Sequence, residues 1–356
     1  MDIPTLKTIQ QNFLQELKDA EGGKKTSLAF IRNPLPSSPL VQDEEEFQVL
    51  VIGGSVCKNA LVKRKSGHIH IIEKTEKEQP SFRTEEALMS FIQSELKDNV
   101  SVVAINFAYP LDPVFESGRL DGVVTRAAKE NTFDGLIGKR LGNETEKYIL
   151  EKTGRKITVS VANDTISLLL SGLTQHPWSG IAGGIVGTGV NFAMFLNKNE
   201  LVNLEAAWFD KFLPSEEGVE IDRSSTKPGE AILEKNTSGA YLYQHYNILV
   251  KKKGIDTPPL KSTKELKDVS LEGSERGNIA RDLIKRSAGL IASVIGGITL
   301  YYNKDMIFVM EGSFFWGENV FRDYVSEYLR DLLPNLAVLF VKIDDSPILG
   351  GAKLVA

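Results

Sequence analysis

The sequence predicts an α/β protein built from two domains, and three observations predict it. Its 356 residues exceed what one hydrophobic core usually holds, so two domains of roughly 150–200 residues each are the natural division. Apolar runs of strand length alternate with apolar residues at helical spacing along most of the chain, which is the α/β pattern. One arrangement also occurs twice: an apolar strand, a glycine turn and a second apolar strand at 47–62, and again at 181–196, as an internal duplication would leave.

Taken in order, Leu6, Ile9, Phe13 and Leu17 recur at helical spacing and predict an amphipathic helix packed on a domain. Glu16, Asp19 and Glu21 deny it the basic face of a membrane-surface helix. Residues 22–46 are polar, with Pro34, Pro36 and Pro39 close together, and read as a connecting segment. The run 47–52 is a compact strand that breaks at Gly53-Gly54-Ser55 and resumes around Ala60-Leu61-Val62, with a third strand near 69–72. A helix over 85–96, a buried strand over 102–107 and a strand over 157–161 leading into a helix from Thr165 come next. The second strand, turn and strand unit is 181–186, Gly187-Thr188-Gly189 and 192–196. In the last third a helix carrying Ile279, Leu283, Leu290, Val294 and Ile298 precedes a strand at 307–310, a helix at 320–333 and a strand at 338–341. The lysine-rich stretches 251–253 and 261–267 read as solvated surface loops.

Hydrophobic residues at 42% and charged residues at 25% suit an ordinary globular enzyme. A net charge of −5 leaves no basic face for a general nucleic-acid binder, so small-molecule chemistry is expected. Cys57 is the single cysteine, which excludes an intrachain disulfide and a cysteine-based zinc site and points to a reducing compartment, the cytoplasm. No secretory leader is expected from the first twenty residues. No apolar run reads as long enough to span a bilayer, so no membrane is expected as a partner. The pattern sets no oligomeric state.

Glycine turns between strands expose several backbone N–H groups at one point, which suits phosphate oxygens. Gly53-Gly54-Ser55 fits that use, and fits equally a tight hairpin that wants positive φ. Gly187-Thr188-Gly189 followed by Asn191 is more specific, and Glu311-Gly312-Ser313, between strand and helix, is a third place for a nucleotide. Asn163-Asp164-Thr165 sits where a strand ends and an apolar helix begins, so Asp164 is the candidate catalytic residue, with a helix N-cap as the alternative. Spacing alone does not single out Glu205, after Val202-Asn203-Leu204, or Glu234, at the head of Glu234-Lys235-Asn236-Thr237-Ser238-Gly239.

Read in order, these fragments resemble the hexokinase family of the actin-like ATPase superfamily from Phe47 to Ala356. Gly53-Gly54-Ser55 is similar to the family's first phosphate motif, Val124-Thr125-Arg126 to its Trp-Thr-Lys sugar segment, and Val161-Ala162-Asn163-Asp164-Thr165 to its catalytic segment. Gly187-Thr188-Gly189-Val190-Asn191 is similar to the second phosphate motif, Asn203-Leu204-Glu205 to the family's Asn-Met-Glu, and 234–242 to the helix with its second sugar-binding glutamate. Residues 286–290 resemble the second connecting helix, Glu311-Gly312-Ser313 the adenosine motif's Asp-Gly-Ser, and Ser346 with Gly350-Gly351-Ala352 the closing nucleotide segment.

The resemblance implies a two-lobed actin-like (ribonuclease H-like) fold, each lobe a mixed five-stranded sheet flanked by helices around a cleft. It places the helix and linker at 1–45, the small lobe at 46–163 plus about 343–356, and the large lobe at 164–342. It implies ATP-dependent phosphorylation of a hexose at its primary 6-hydroxyl, with Asp164 as general base and Arg126 offsetting charge. Thr125, Asn163, Asn191, Glu205 and Glu234 would hold hydroxyls. Gly53, Gly54, Ser55, Gly187, Thr188, Gly189, Gly312 and Ser313 would hold the nucleotide, and Mg2+ would arrive on ATP without a direct protein ligand. Three positions depart from the family pattern. Val51 stands where the family has a metal-supporting aspartate, Ala108 replaces the serine of Phe-Ser-Phe-Pro within Asn106-Phe107-Ala108-Tyr109-Pro110, and Arg126 replaces lysine. A hexose sensor that transfers phosphate poorly is the alternative these changes allow. A structural ATPase of the actin type would have no use for Glu205 or Glu234, and the repressor-and-kinase sugar kinases need a zinc motif that Cys57 alone cannot build.

Overall fold

A computed structural model describes residues 1–127, 130–317 and 320–356. Helix α1 (Ile3–Glu21) opens the chain, its N-cap Asp2 accepting from Thr5 N. Strand β1 (Ile31–Pro34) comes next, inside the stretch read as a connector. Strands β2 (Glu46–Ile52), β3 (Val56–Lys65) and β4 (His68–Glu78) form an antiparallel meander, β3 and β4 meeting at Ser66-Gly67, both with positive φ. After them stand α2 (Glu85–Glu95), β5 (Val102–Phe107), the hairpin β6 (Leu111–Glu116) and β7 (Arg119–Val124), α3 (Leu141–Thr153), β8 (Thr158–Asn163) and α4 (Asp164–Ser171). The second half runs β9 (Ile181–Val186), β10 (Val190–Asn197), β11 (Glu200–Asn203), α5 (Glu216–Ser224), α6 (Ile232–Thr237), α7 (Leu242–Lys252), α8 (Thr263–Ser270) and α9 (Glu275–Tyr302). It closes with β12 (Met306–Glu311), α10 (Ser313–Trp316), α11 (Val320–Leu332), β13 (Val338–Val341) and α12 (Ser346–Lys353).

The chain divides into two compact units: unit 1 is Met1–Phe30, Gly184–Phe192 and Leu204–Val341, and unit 2 is Ile31–Gly183, Ala193–Asn203 and Lys342–Ala356. One sheet has the order β4-β3-β2-β5-β8, the other β1-β11-β10-β9-β12-β13. The second therefore has six strands where five were expected. Its extra edge strand, β1, comes from the segment expected to be a connector and pairs antiparallel with β11.

In unit 2 the parallel pairs β2–β5 and β5–β8 are buried, and their sequences are accordingly near-continuous apolar runs. Leu50, Ile52, Leu88, Ile105, Phe107 and Val161 share one core beneath them. The register aligns the strand ends, because Ile52 pairs with Phe107 and Phe107 with Asn163. Three strands thus end level, and Gly53, Ala108 and Asp164 leave from their carboxyl ends, the edge at which α/β sheets bind ligands.

In unit 1, α9 is the central helix. By length and composition it could cross a membrane, against the sequence expectation that no run was long enough, yet 83% of its most apolar window is buried within the protein, as in a core helix. Helix α1 lies against it where glycines let backbones approach: a Cβ on Gly297 would meet the Phe13 ring at 2.9 Å, and one on Gly289 would meet Leu6 at 3.0 Å. Phe13 is fully buried and packs edge-on to Phe209 with centroids 4.9 Å apart.

Candidate active site

Unit 1 holds the second glycine turn, the two glutamates and the Gly312-Ser313 turn. Strand β9 runs into Gly187-Thr188-Gly189, and Gly187 N donates to Gly189 O at 2.9 Å, closing the turn. That bond takes the Gly187 amide, which was expected to serve phosphate. Thr188, which is exposed, and the Gly189 amide are the donors the turn keeps.

Gly239 N donates to Gly187 O at 2.8 Å, and Thr263 Oγ1 donates to Gly239 O at 2.6 Å, so the turn is tied through the end of α6 to α8. Gly312 has φ +113, and a Cβ there would lie 2.1 Å from Val186 O, so only glycine fits against the end of β9. Beside them lies an open cleft of about 400 Å3 lined by Gly187, Thr188, Gly239, Thr263, Lys267 and Ser313.

The stretch 261–267, expected to be a solvated loop, is instead largely the start of α8. Ser262 is its N-cap, accepting from Glu265 N at 3.3 Å, and this Ser-x-x-Glu spacing is the signal that could have found the helix. Lys267 lines the cavity, donates from Nζ to Gly317 O at 2.9 Å and sits 5.3 Å from the Phe314 ring centroid.

On the other side of the same turn, Val190 N donates to Glu234 Oε2 at 3.1 Å. Asn191 Nδ2 donates to Glu205 Oε1 at 3.4 Å, while Asn191 Oδ1 accepts from Phe192 N and Ala206 N at 2.8 and 3.2 Å. Asn191, Glu205 and Glu234 are therefore brought together. Glu205 is held at φ +48, a strained backbone for a residue with a side chain, and it caps the short 3-10 turn Ala206–Trp208. Burial pushes the Glu234 carboxyl above its usual range; the Val190 N–H opposes this and the Glu205 charge adds to it.

Helix α6, which carries Glu234, has six residues, too few to persist alone. It is fixed by Lys235, whose buried Nζ reaches Asp222 Oδ1, Ser225 Oγ and Lys227 O at 2.6, 2.9 and 2.8 Å, and by His245 Nε2, 2.8 Å from Lys235 O.

Unit 2 holds the first glycine turn, the 106–110 segment, Thr125, Arg126 and the Asn163-Asp164 pair. Gly53 N donates to Val56 O at 3.2 Å, which closes the hairpin, and a Cβ on Gly53 would meet that carbonyl at 2.9 Å. Neither Gly53, Gly187 nor Gly189 has positive φ. Gly53 and Gly189 serve close approach, and the positive φ that the hairpin alternative wanted at Gly53-Gly54-Ser55 is corrected. Ala108 N donates to Ile52 O at 3.0 Å, and Thr125 donates to Pro110 O from its amide and its hydroxyl, at 3.3 and 3.4 Å. The first phosphate motif, the 106–110 segment and Thr125 thus lie together, while Arg126 is exposed beyond β7.

Asn163 is the N-cap of α4, its Oδ1 accepting from Thr165 N at 2.9 Å. Asp164, half-buried, is the first helical residue, and its Oδ1 accepts from Thr165 N at 2.8 Å and Thr165 Oγ1 at 3.3 Å. The cap expected as the alternative role of Asp164 is therefore filled by its neighbour. Helix α4 is pressed by α12: a Cβ on Gly350 would fall 1.7 Å from Ser167 O, and one on Gly351 would fall 2.7 Å from Val49 Cγ1. The Gly350-Gly351 segment, which resembles a nucleotide motif, is used here for helix packing.

No family model matches the chain. Hexokinase-1 of Saccharomyces cerevisiae is 24% identical over 279 residues, covering 68% of this chain and 57% of the yeast protein. The chain spans a little over half the length of the curated relatives it matches. Among solved structures, Schistosoma mansoni hexokinase complexed with glucose superposes with a TM-score of 0.80 at 18% identity, covering 100% of this chain and 95% of that one. A glucokinase of the repressor-and-kinase family from Streptomyces griseus, in complex with glucose and AMPPNP, gives 0.57 at 14% identity over 87% of this chain and 99% of that one. The chain is thus similar in sequence to curated hexokinases, and it shares the α/β fold of these solved sugar-kinase structures.

Proposed function

We propose that this chain is an ATP-dependent hexokinase, transferring the terminal phosphoryl group of ATP to the primary 6-hydroxyl of a hexose such as glucose. One observation carries the reading: Glu205 and Glu234 converge on Val190 and Asn191, directly after the Gly187-Thr188-Gly189 turn. Half-buried carboxylates that accept hydrogen bonds from hydroxyls disfavour ligands lacking those hydroxyls, and so supply sugar specificity. The glucose and AMPPNP held by the structurally similar proteins support the same pair of ligands.

In this reading Asp164 takes the proton of the sugar's primary hydroxyl, the freed oxygen forms a bond to the γ-phosphorus, and the bond to the bridging oxygen of ADP breaks. General base catalysis of this kind contributes roughly 10²–10⁴ in rate. Thr188 and the Gly189 amide steady the transferred group with Arg126, and Thr125, Asn163 and Asn191 join the glutamates in holding hydroxyls. Magnesium would arrive bound to the nucleotide and would offset phosphate charge there. Val51 offers no oxygen, and among the described residues no group of three or more His, Cys, Asp or Glu side chains forms a ligand set. A reducing cytoplasm suits Cys57, which is buried with its thiol pushed up to about 11, first by burial.

The test is ADP release over a panel of hexoses with magnesium, run on the parent and on Val51→Asp. The proposal predicts hexose-dependent release, and its absence with every common hexose would overturn it. A hexose sensor is the second reading, favoured by the apolar side chains of Val51, buried in β2, and of Ala108, whose link to the first turn is a backbone bond alone. Calorimetric hexose binding without turnover supports the sensor.

A further inference from the structure

Tyr109 is 1% exposed, and its ring is wedged between Phe107 and Phe133 at centroid distances of 4.8 and 5.0 Å. Its hydroxyl donates to Gly53 O at 2.5 Å and accepts from Asn131 Nδ2 at 2.9 Å and Gln79 Nε2 at 3.3 Å. The hydroxyl's one proton and both lone pairs are therefore used. Asn131 is itself anchored, its Oδ1 accepting from Phe82 N at 2.6 Å, and Gln79 Nε2 gives Gly53 O a second donor at 2.6 Å. One backbone carbonyl thus receives two side-chain donors from a buried network.

Peptide geometry passes that constraint to the neighbouring amide. The peptide joining Gly53 to Gly54 is trans, so the Gly53 carbonyl and the Gly54 N–H lie in one plane and point in opposite directions. Drawing the carbonyl inward onto Tyr109 aims the Gly54 N–H outward, and Gly54 and Ser55 are exposed. Backbone bonds from Gly53 N to Val56 O and from Gln79 N to Ser55 O hold the two ends of the turn, and the network fixes the peptide plane between them.

We propose that Tyr109 is a positioning residue that orients the Gly53-Gly54-Ser55 turn to donate its Gly54 N–H to the phosphates of a nucleoside triphosphate. It acts through the Gly53 carbonyl, and the proposal rests on the kinase reading above. The variant Tyr109→Phe removes only the hydroxyl; Gln79→Leu removes the second donor. Calorimetry on the full chain with magnesium AMPPNP, and separately with glucose, reads the effect. Nucleotide affinity falls about five- to tenfold in Tyr109→Phe, the value of one buried hydrogen bond, and in the same direction in Gln79→Leu, while glucose affinity stays within about twofold. Amide exchange at position 54 rises with it, and exchange in β2 and β5 does not. Nucleotide affinity unchanged in both variants, or nucleotide and glucose affinities falling together with the thermal midpoint, overturns the proposal alone. A parent chain that binds no nucleotide overturns the kinase reading and the proposal with it.

Discussion

Gly189→Ala places a methyl carbon 2.8 Å from Glu234 Oε2 at a residue whose φ is not positive, so the contact, and no backbone strain, is the perturbation. An ordinary carbon–oxygen contact begins near 3.4 Å, so the carboxylate must retreat by about 0.6 Å. That retreat stretches the Val190 N–H bond to Glu234 from its present 3.1 Å past the range of a hydrogen bond. A hydrogen bond to a charged group contributes about 1.5–3 kcal/mol, so the hexose KM rises by roughly 10- to 100-fold. The assay is steady-state ADP release with hexose varied at saturating ATP, alongside AMPPNP binding as the control for the other flank of the turn. A hexose KM within twofold of the parent in a folded variant would refute the placing of Glu234 at the sugar.

The raised Glu234 carboxyl gives a pH dependence whose sign is fixed. With hydroxyls held by the carboxylate as proposed, hexose affinity is expected to rise with pH through the raised value, and Glu234→Gln to remove that dependence. The same group favours the folded chain while protonated, below the ordinary glutamate value, and loses that contribution as pH rises through the raised value; thermal melts across pH read it. Gly350→Ala drives a methyl to 1.7 Å from Ser167 O, which as backbone cannot retreat. A cost of about 3 kcal/mol, or roughly 6–12 °C in the thermal midpoint, is expected by scanning calorimetry, and an unchanged midpoint contradicts the packing of α12 on α4. Lys267→Met removes the bond to Gly317 O and the cation over Phe314, so the ATP KM rises severalfold with the hexose KM unchanged.

Legibility in the sequence tracked the range of the interactions. Strands β2, β5 and β9 are buried apolar runs bounded by glycine or polar turns, and their own composition reveals them. Strand β1 has four residues ending in Pro34, and its partner β11 lies about 170 residues away, so nothing local marks it. The hairpin β6–β7 does carry a local signal: Ser117-Gly118, both with positive φ, is the turn chemistry of a two-residue hairpin. Helix α8 is hidden by its lysines, although Ser262 and Glu265 stand at capping spacing.

The candidate site residues come as an ordered set only through the family resemblance, since spacing alone does not single out Glu205 or Glu234. Their partners are not legible, since the bond from Gly187 N to Gly189 O and the contact of Gly350 on α4 depend on atoms that only the folded backbone brings together.

Asp164 carries the central claim, and the decisive measurement is single-turnover phosphorylation of glucose by Asp164→Asn with glucose affinity measured on the same preparation. The substitution keeps the side chain's size and its acceptor for Thr165 N, so α4 retains its first turn. A rate lower by at least about 10² is expected, with glucose bound within a few-fold of the parent's affinity. A phosphorylation rate equal to the parent's would contradict it.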